Sequence, residues 1–325
     1  MSQYLVQRFV WMIITFFLAT LLIFTIIQLS PGDFVTYIVS QTDTTGGLSS
    51  AATKLREYYG LDKPIYQQYF QWLYKILRGD FGYSFLYRKP VIEVMRSEIL
   101  WTLVITILSF TFAWVVGSVI GIYSALHKYS VGDYIFTALG FLGLSSPSFF
   151  IAMVIIYILI SAGTGISGGL FSEKFVAAPW SWAKFIDLLK HLWIPIVVIS
   201  ISNMAEVIRI MRGSLLEVLN QPYIQAARAK GLSERVIVMK HALRNAINPL
   251  ISLIGMSAPK LIAGIVQTAV VLNLPVVGPT YLVALMSQDV YLAGAYLLLT
   301  VILLLVGNFI ADLALAWIDP RIRYD

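Results

Sequence analysis

A chain of 325 residues in which 58% are hydrophobic and 12% are charged has too little polar surface for a water-soluble fold, where about 25% of residues ordinarily carry charge. Its solvent is lipid, and its long uncharged runs predict an all-α integral membrane protein whose backbone satisfies its own hydrogen bonds. The net charge is +6, and the lack of cysteine excludes a disulfide framework or thiolate chemistry.

The first uncharged run, 9–29, has the roughly 20-residue length that crosses the hydrocarbon core. It is too long for a secretory signal core, and Ser30-Pro31-Gly32-Asp33 is a poor cleavage site, so it reads as an uncleaved anchor. A long loop region, 30–98, follows. It has helical character over 54–59 and 64–77, and in the second stretch Ile65, Tyr69, Trp72 and Ile76 recur on one face.

Five more runs follow, at 99–126, 134–162, from near 192 past Glu206, 250–277 and 290–318, which makes six transmembrane helices. Pro147 predicts a kink in the third. Gly117-x-x-x-Gly121 in the second, and Gly140 with Gly143 in the third, leave room for close helix approach. Glu206 and Arg209 lie three residues apart on one helical face. They either line a polar passage or gate, or pair where the span emerges at the cytoplasmic interface. Lys260, in the fifth span, must face a cavity or partner, or snorkel to the interface. Asp312, one turn after Asn308, reads as a packing or interface residue. Pro275, Gly278 and Pro279 break the end of the fifth span, so 273–280 is either a tightly packed or re-entrant turn or a simple loop.

The segment between the fourth and fifth spans carries the most information about function. Residues 221–249 read QPYIQAARAKGLSERVIVMKHALRNAINP, a helix, a glycine break and a second helix. Pro222 suits a first helical turn, with Gln221 or Asn220 as its cap. Ala226, Ala227 and Ala229 are strong helix formers. Gly231 can take the left-handed conformation that ends a helix, and Ser233 stands where it would cap the next. Arg228, Lys230, Arg235, Lys240 and Arg244 face a single acid, Glu234. The alanines let another protein approach closely, while Arg228 and Lys230 are available to acidic groups on it. The competing reading is a basic inner loop that rests on anionic lipid.

Basic residues in short connections set the orientation. With both termini in the cytoplasm, Arg8, Lys128, the basic residues from Arg209 to Arg244, Arg321 and Arg323 all lie inside. Lys174, Lys184 and Lys190 then share one outer connection. The histidines, His127, His191 and His241, fall in different connections with no ligand spacing, so no metal site is expected from this chain alone. No phosphate-binding Gly-x-x-x-x-Gly-Lys-Ser/Thr occurs, so the chain is not expected to be an ATPase or another enzyme.

At these residues the chain resembles permease subunits of bacterial ATP-driven (ABC) importers. Those carry Glu-Ala-Ala, three residues, then Gly in a cytoplasmic loop; Gln225-Ala226-Ala227 and Gly231 keep that spacing, with Gln for Glu, and the downstream Ile-x-Leu-Pro is absent. Ala227-Arg228-Ala229-Lys230-Gly231-Leu232-Ser233, and Lys240-His241-Ala242-Leu243-Arg244-Asn245-Ala246 with Pro249, are similar to the oligopeptide, dipeptide and nickel branch. Gly60-Leu61-Asp62-Lys63-Pro64, Arg78-Gly79-Asp80-Phe81-Gly82-Tyr83-Ser84 and Asp319-Pro320-Arg321-Ile322-Arg323-Tyr324 resemble the first of the two permeases in such systems.

The resemblance implies a multi-pass protein of the bacterial inner membrane. Residues 1–29 would hold the N-terminus and first transmembrane helix, 30–98 an extracytoplasmic loop region, and 99–325 a five-helix permease core with a cytoplasmic coupling segment at 220–249. Tyr223, Gln225, Ala226, Ala227, Arg228, Ala229, Lys230 and Gly231 would form a coupling helix seated on an ATPase. The implied partners are a second homologous permease, two cytoplasmic ATPase subunits that hold ATP and Mg, an extracytoplasmic solute-binding protein and membrane lipid, with no nucleic acid and no cofactor in this chain. Glu206, Arg209 and Lys260 are the passage or gate candidates. Tyr69 and Trp72 either rest on the membrane interface and neighbouring spans or form part of a platform for the binding protein. The implied cargo is an oligopeptide or dipeptide, with oligosaccharides or nickel as alternatives. A self-contained secondary transporter would need an ion-coupling site and internal repeats, and a membrane-embedded enzyme would need clustered acids or histidines; neither pattern is evident.

Overall fold

The computed structural model describes residues 2–29, 53, 57, 62–84, 86–287 and 289–318, with side chains throughout except at 2–5, 27, 252, 254–264, 311 and 314–318. The order is α1 (Ser2–Leu29), α2 (Ile65–Leu77), a ladder of β1 (Tyr83–Ser84) with β2 (Lys89–Pro90), α3 (Val91–Leu126), α4 (Val131–Ser145), α5 (Ser148–Ser161) and α6 (Glu173–Val176). Then come α7 (Trp182–Leu219), α8 (Pro222–Ala229), α9 (Glu234–Val236), a π-helical turn (Ile237–Ala242), α10 (Leu243–Ala246), α11 (Asn248–Val271), α12 (Val277–Met286) and α13 (Val290–Ile318). Among the described residues four helices are long and apolar enough to cross a membrane, or five if the bent pair α4 and α5 is one span. The protein is a multi-pass helical membrane bundle. The helix expected over 54–59, residue 57 excepted, and the motif residues 60–61 and 319–324 lie outside the described residues.

Several elements differ from the sequence expectation, each for a local reason. The third apolar run is two helices bent by 111° and not one kinked helix. Ser146 precedes a proline, which bars it from helical backbone, and it is extended at φ −98°, ψ 130°; Pro147 then starts α5. The fourth run begins ten residues before 192, at Trp182, because its charges are absorbed locally. Lys184 Nζ donates to the carbonyls of Ala178 at 2.6 Å and Val176 at 3.3 Å and sits 4.9 Å from the Phe171 ring centre. Asp187 accepts from the Ser172 amide at 2.7 Å and the Ser172 hydroxyl at 2.6 Å. Partners of this kind let ionisable side chains enter a buried helix that hydropathy alone would have ended.

The chain divides into two compact units, Met1–Tyr4 with Trp101–Pro275 and Gly307–Asp325, and Leu5–Leu100 with Val276–Val306. In the first, α7 is the axis against which α4, α5 and α11 pack. The small-residue sites expected in the second and third runs meet this axis. A Cβ on Gly117 would stand 3.1 Å from the Met204 carbonyl, one on Gly121 would stand 3.0 Å from the Ile208 carbonyl, and one on Gly143 would strike Ile201 Cγ2 at 2.5 Å. Ser200 Oγ donates to the Ser109 carbonyl at 2.8 Å and Ser202 Oγ to the Gly143 carbonyl at 3.0 Å, crossing between helices as lipid-embedded hydroxyls commonly do. The turn after α11 is tightly packed: Leu272 and Leu274 are buried, and the Gly169 amide donates to the Leu272 carbonyl at 2.6 Å.

In the second unit α2 lies on α1. The Tyr69 ring meets Phe24 edge-on at 5.4 Å, Trp72 lies 5.7 Å from the same ring, and Gln28 Nε2 donates to Gln68 Oε1 at 2.9 Å. The packed face is Tyr69, Trp72, Leu73 and Ile76; Ile65, expected on it, is exposed. Of the two expectations for these aromatics, contact with a neighbouring span is therefore met. Val91, Met95, Leu292 and Tyr296 form a separate cluster, at whose edge Glu98 accepts hydrogen bonds from the Thr280 and Tyr296 hydroxyls.

Candidate functional site

α7 ends at Leu219, and the chain turns through Gln221, extended at φ −69°, ψ 147°, into α8 with Pro222 in its first turn. No side-chain cap is made by Gln221, nor by Ser233 before α9. What holds α8 is one apolar anchor. Ile224 has no exposed surface and sits in a cluster with Met211 and Leu215 of α7, Ile237 and Ala242 of the π-helical turn, Ala246 of α10 and Leu250 of α11. Fully burying an isoleucine side chain is worth about 1.5–3 kcal/mol, more than any exposed polar contact here supplies. On the flank, Asn245 Nδ2 donates to the Tyr223 hydroxyl at 2.8 Å.

The outward side of α8 is small and basic. Gln225, Ala226, Arg228, Ala229 and Lys230 are exposed, while Ala227 is half-buried against the anchor cluster. Gly231 closes the helix at φ +75°, its amide donating to the Arg228 carbonyl at 2.9 Å. A Cβ there would meet nothing within 4 Å, so backbone conformation and not crowding selects glycine. Across this break Arg228 Nε lies 2.7 Å from Glu234 Oε1 and Nη2 3.3 Å from Oε2. The guanidinium hydrogen bonds hold the Glu234 carboxyl below its ordinary range, and the carboxylate raises Arg228. Arg228 therefore meets an acid of its own chain, where the sequence suggested an acid on another; Lys230 remains exposed toward solvent.

The second helix expected after the glycine is in three pieces. A single turn, α9, passes into the π-helical segment Ile237–Ala242 and then α10. The wider π turn buries Ile237, Val238 and Ala242 while leaving Met239 and Lys240 outside. Such turns concentrate at functional sites.

Glu206 and Arg209 are not members of this cluster. Glu206 is half-buried and Arg209 exposed along α7, and one turn later Arg212 of the same helix pairs with Asp133. Lys260 lies in α11, its side chain outside the described residues. Sequence reasoning missed Ile224, because a lone isoleucine among polar residues looks incidental. It also missed Arg212, although an arginine so soon after Arg209 in an apolar run was a usable signal.

Two family models match the chain. The model for the inner membrane component of binding-protein-dependent transport systems covers residues 117–324, and the one for the N-terminal part of such membrane components covers residues 1–106. The chain belongs to this family. Among curated relatives of the family, the oligopeptide transport system permease protein AppB of Bacillus subtilis is 32% identical over 100% of both chains. A putative peptide permease protein of Brucella ovis is 37% identical over 94% of this chain and 93% of its own. The dipeptide transport system permease protein DppB of Escherichia coli K12 is 31% identical over 100% of this chain and 99% of its own. This binding-protein-dependent permease is a transport subunit, and among its described residues no three His, Asp or Glu side chains gather as metal ligands.

Proposed function

We propose that the chain is the first permease of a peptide importer, in which α8 is the coupling helix that receives motion from a cytoplasmic ATPase. The observation that carries this is the pairing of an exposed alanine-rich face with Ile224, which roots the same helix in the end of α7. Force applied to Gln225, Ala226, Arg228, Ala229 or Lys230 would reach a 38-residue helix through a packed apolar contact. Tyr223 and Gly231 define the two ends of that lever, and Ala227 bridges its exposed and packed faces.

In this reading α1, α3, the bent pair α4 and α5, α7, α11 and α13 are the six spans. Both termini and 220–249 are cytoplasmic, 30–98 is extracytoplasmic, and 99–325 is the core. A second homologous permease completes the passage, two ATPase subunits bind ATP and Mg, and an external binding protein delivers cargo. Peptide cargo is supported by the names of the relatives, which are oligopeptide, dipeptide and peptide permeases. Glu206, Arg209 and Lys260 remain the candidates for passage or gate.

Purification in mild detergent tests the reading, with stoichiometric ATPase expected alongside the permease and peptide recovered with the binding protein. Gly231→Val should insert normally yet lose ATPase docking or coupling, because a β-branched residue resists positive φ. Peptide uptake by this polypeptide alone in liposomes would defeat the assignment.

A further inference from the structure

We propose that Asp133 and Arg212 are positioning residues that oblige the turn between α3 and α4 to move as one body with α8; the proposal rests on the coupling reading of α8. The turn, residues 127–130, is built under strain. Tyr129 holds φ +65°, a left-handed conformation that crowds the Cβ of any residue but glycine. Its amide donates to Asp133 Oδ2 at 3.0 Å, and Ser130 Oγ accepts from the Asp133 amide at 3.2 Å. Asp133, in the first turn of α4, is only 2% exposed.

From the other side Arg212 grips the same carboxylate with a fork, Nε to Oδ1 and Nη2 to Oδ2, both at 2.8 Å, across 79 residues of chain. A two-pronged contact fixes orientation as well as distance, which a single ammonium cannot do. A buried carboxylate stripped of this partner would be strongly destabilised, so the two helices separate only at high cost. Arg212 stands on α7 beside Met211 and within one turn of Leu215, two α7 members of the buried cluster that holds Ile224 of α8. A continuous path therefore runs from Ile224 through Met211 and Leu215 to Arg212, then through Asp133 to Tyr129. Every member lies within one compact unit. Coupling between sites is carried through contiguous networks of this kind, and the variants below measure whether this one carries it.

This chain has no cysteine of its own, so a labelled pair can be placed on it in a transporter assembled with cysteine-free partner subunits. Spin labels at Tyr134→Cys and Gln225→Cys, both exposed positions, report the separation of α4 from α8. One narrow distance, unchanged between nucleotide-free and nucleotide-trapped states, is expected; a shift between those states overturns the proposal. In proteoliposomes Arg212→Lys and Asp133→Asn should retain ATPase co-purification while solute moved per ATP falls about five- to tenfold, with partial recovery in the Asp133→Arg, Arg212→Asp exchange. Unchanged transport per ATP in the two single variants also overturns it. Absence of bound ATPase from the unmutated complex would instead defeat the coupling reading.

Discussion

Ser84 Oγ donates to Asp289 Oδ2 at 2.6 Å across 205 residues, closing the β1–β2 hairpin onto the start of α13. The same carboxylate accepts the Leu86 amide at 3.1 Å and caps α13 through the Leu292 amide at 3.2 Å. Upstream, Asp80 Oδ1 accepts from the Gly82 amide at 2.9 Å, and a Cβ on Gly82 would strike the Tyr291 ring at 2.8 Å. The stretch Arg78 to Ser84, noticed in the sequence as a family resemblance, thus works as a clip. Asp289→Ala should lower stability by about 1–3 kcal/mol by leaving buried donors unpaired. Thermal unfolding in detergent would read the loss, and protease cleavage within 83–90 should accelerate. An unshifted melting curve would count against the clip.

Two glycines near the same helix contact should respond oppositely. At Gly121 a Cβ would lie 2.7 Å from Met211 Cβ, so Gly121→Leu overpacks the α3 and α7 contact at about 1–3 kcal/mol. Gly213, in the interior of α7, has nothing within 4 Å, so Gly213→Ala should be neutral or stabilising by about 0.5–1 kcal/mol. Melting temperatures of the two variants, compared under one detergent, decide the matter; equal losses would contradict the packing described.

Ile224→Ala should release α8 from α7, at a cost of about 2–5 kcal/mol in the local cluster. The hydrogen exchange of α8 amides is expected to rise well before that of α7. If both helices loosen together, the anchor is more widely shared than Ile224.

The contact of Arg228 with Glu234 makes the glycine break acid-sensitive. Because the folded state holds the Glu234 carboxyl below the ordinary glutamate value of 4.5, its contribution is present above that value and is lost as pH falls through the folded one. Protection of the Lys230, Gly231 and Leu232 amides should be flat between about pH 6 and 8, decline only below the ordinary carboxyl range, and weaken in high salt. Glu234→Gln should remove the acid-dependent decline. A transition near neutrality would point to a different group.

Hydropathy made the runs at 9–29, 99–126 and 290–318 legible, since a membrane demands length and apolarity whatever the partners. Gly231 was legible for a related reason: only the backbone of that residue sets its requirement. Where α7 begins was hidden, because Lys184 and Asp187 look expensive until Ala178 and Ser172 are known to receive them. The 111° bend was half visible in Pro147, but one residue's restriction gives no angle.

Composition, hydropathic length and local backbone preference, all of which act within a few residues, determined by themselves that this is a helical membrane protein with an alanine-rich, glycine-ended helix between two apolar stretches. Tertiary structure alone decided which residues hold that helix and what its charges meet. Ile224 finds Leu215 and Ala246, Arg212 finds Asp133, and Ser84 finds Asp289 through contacts between distant segments, whose pairing no local pattern encodes.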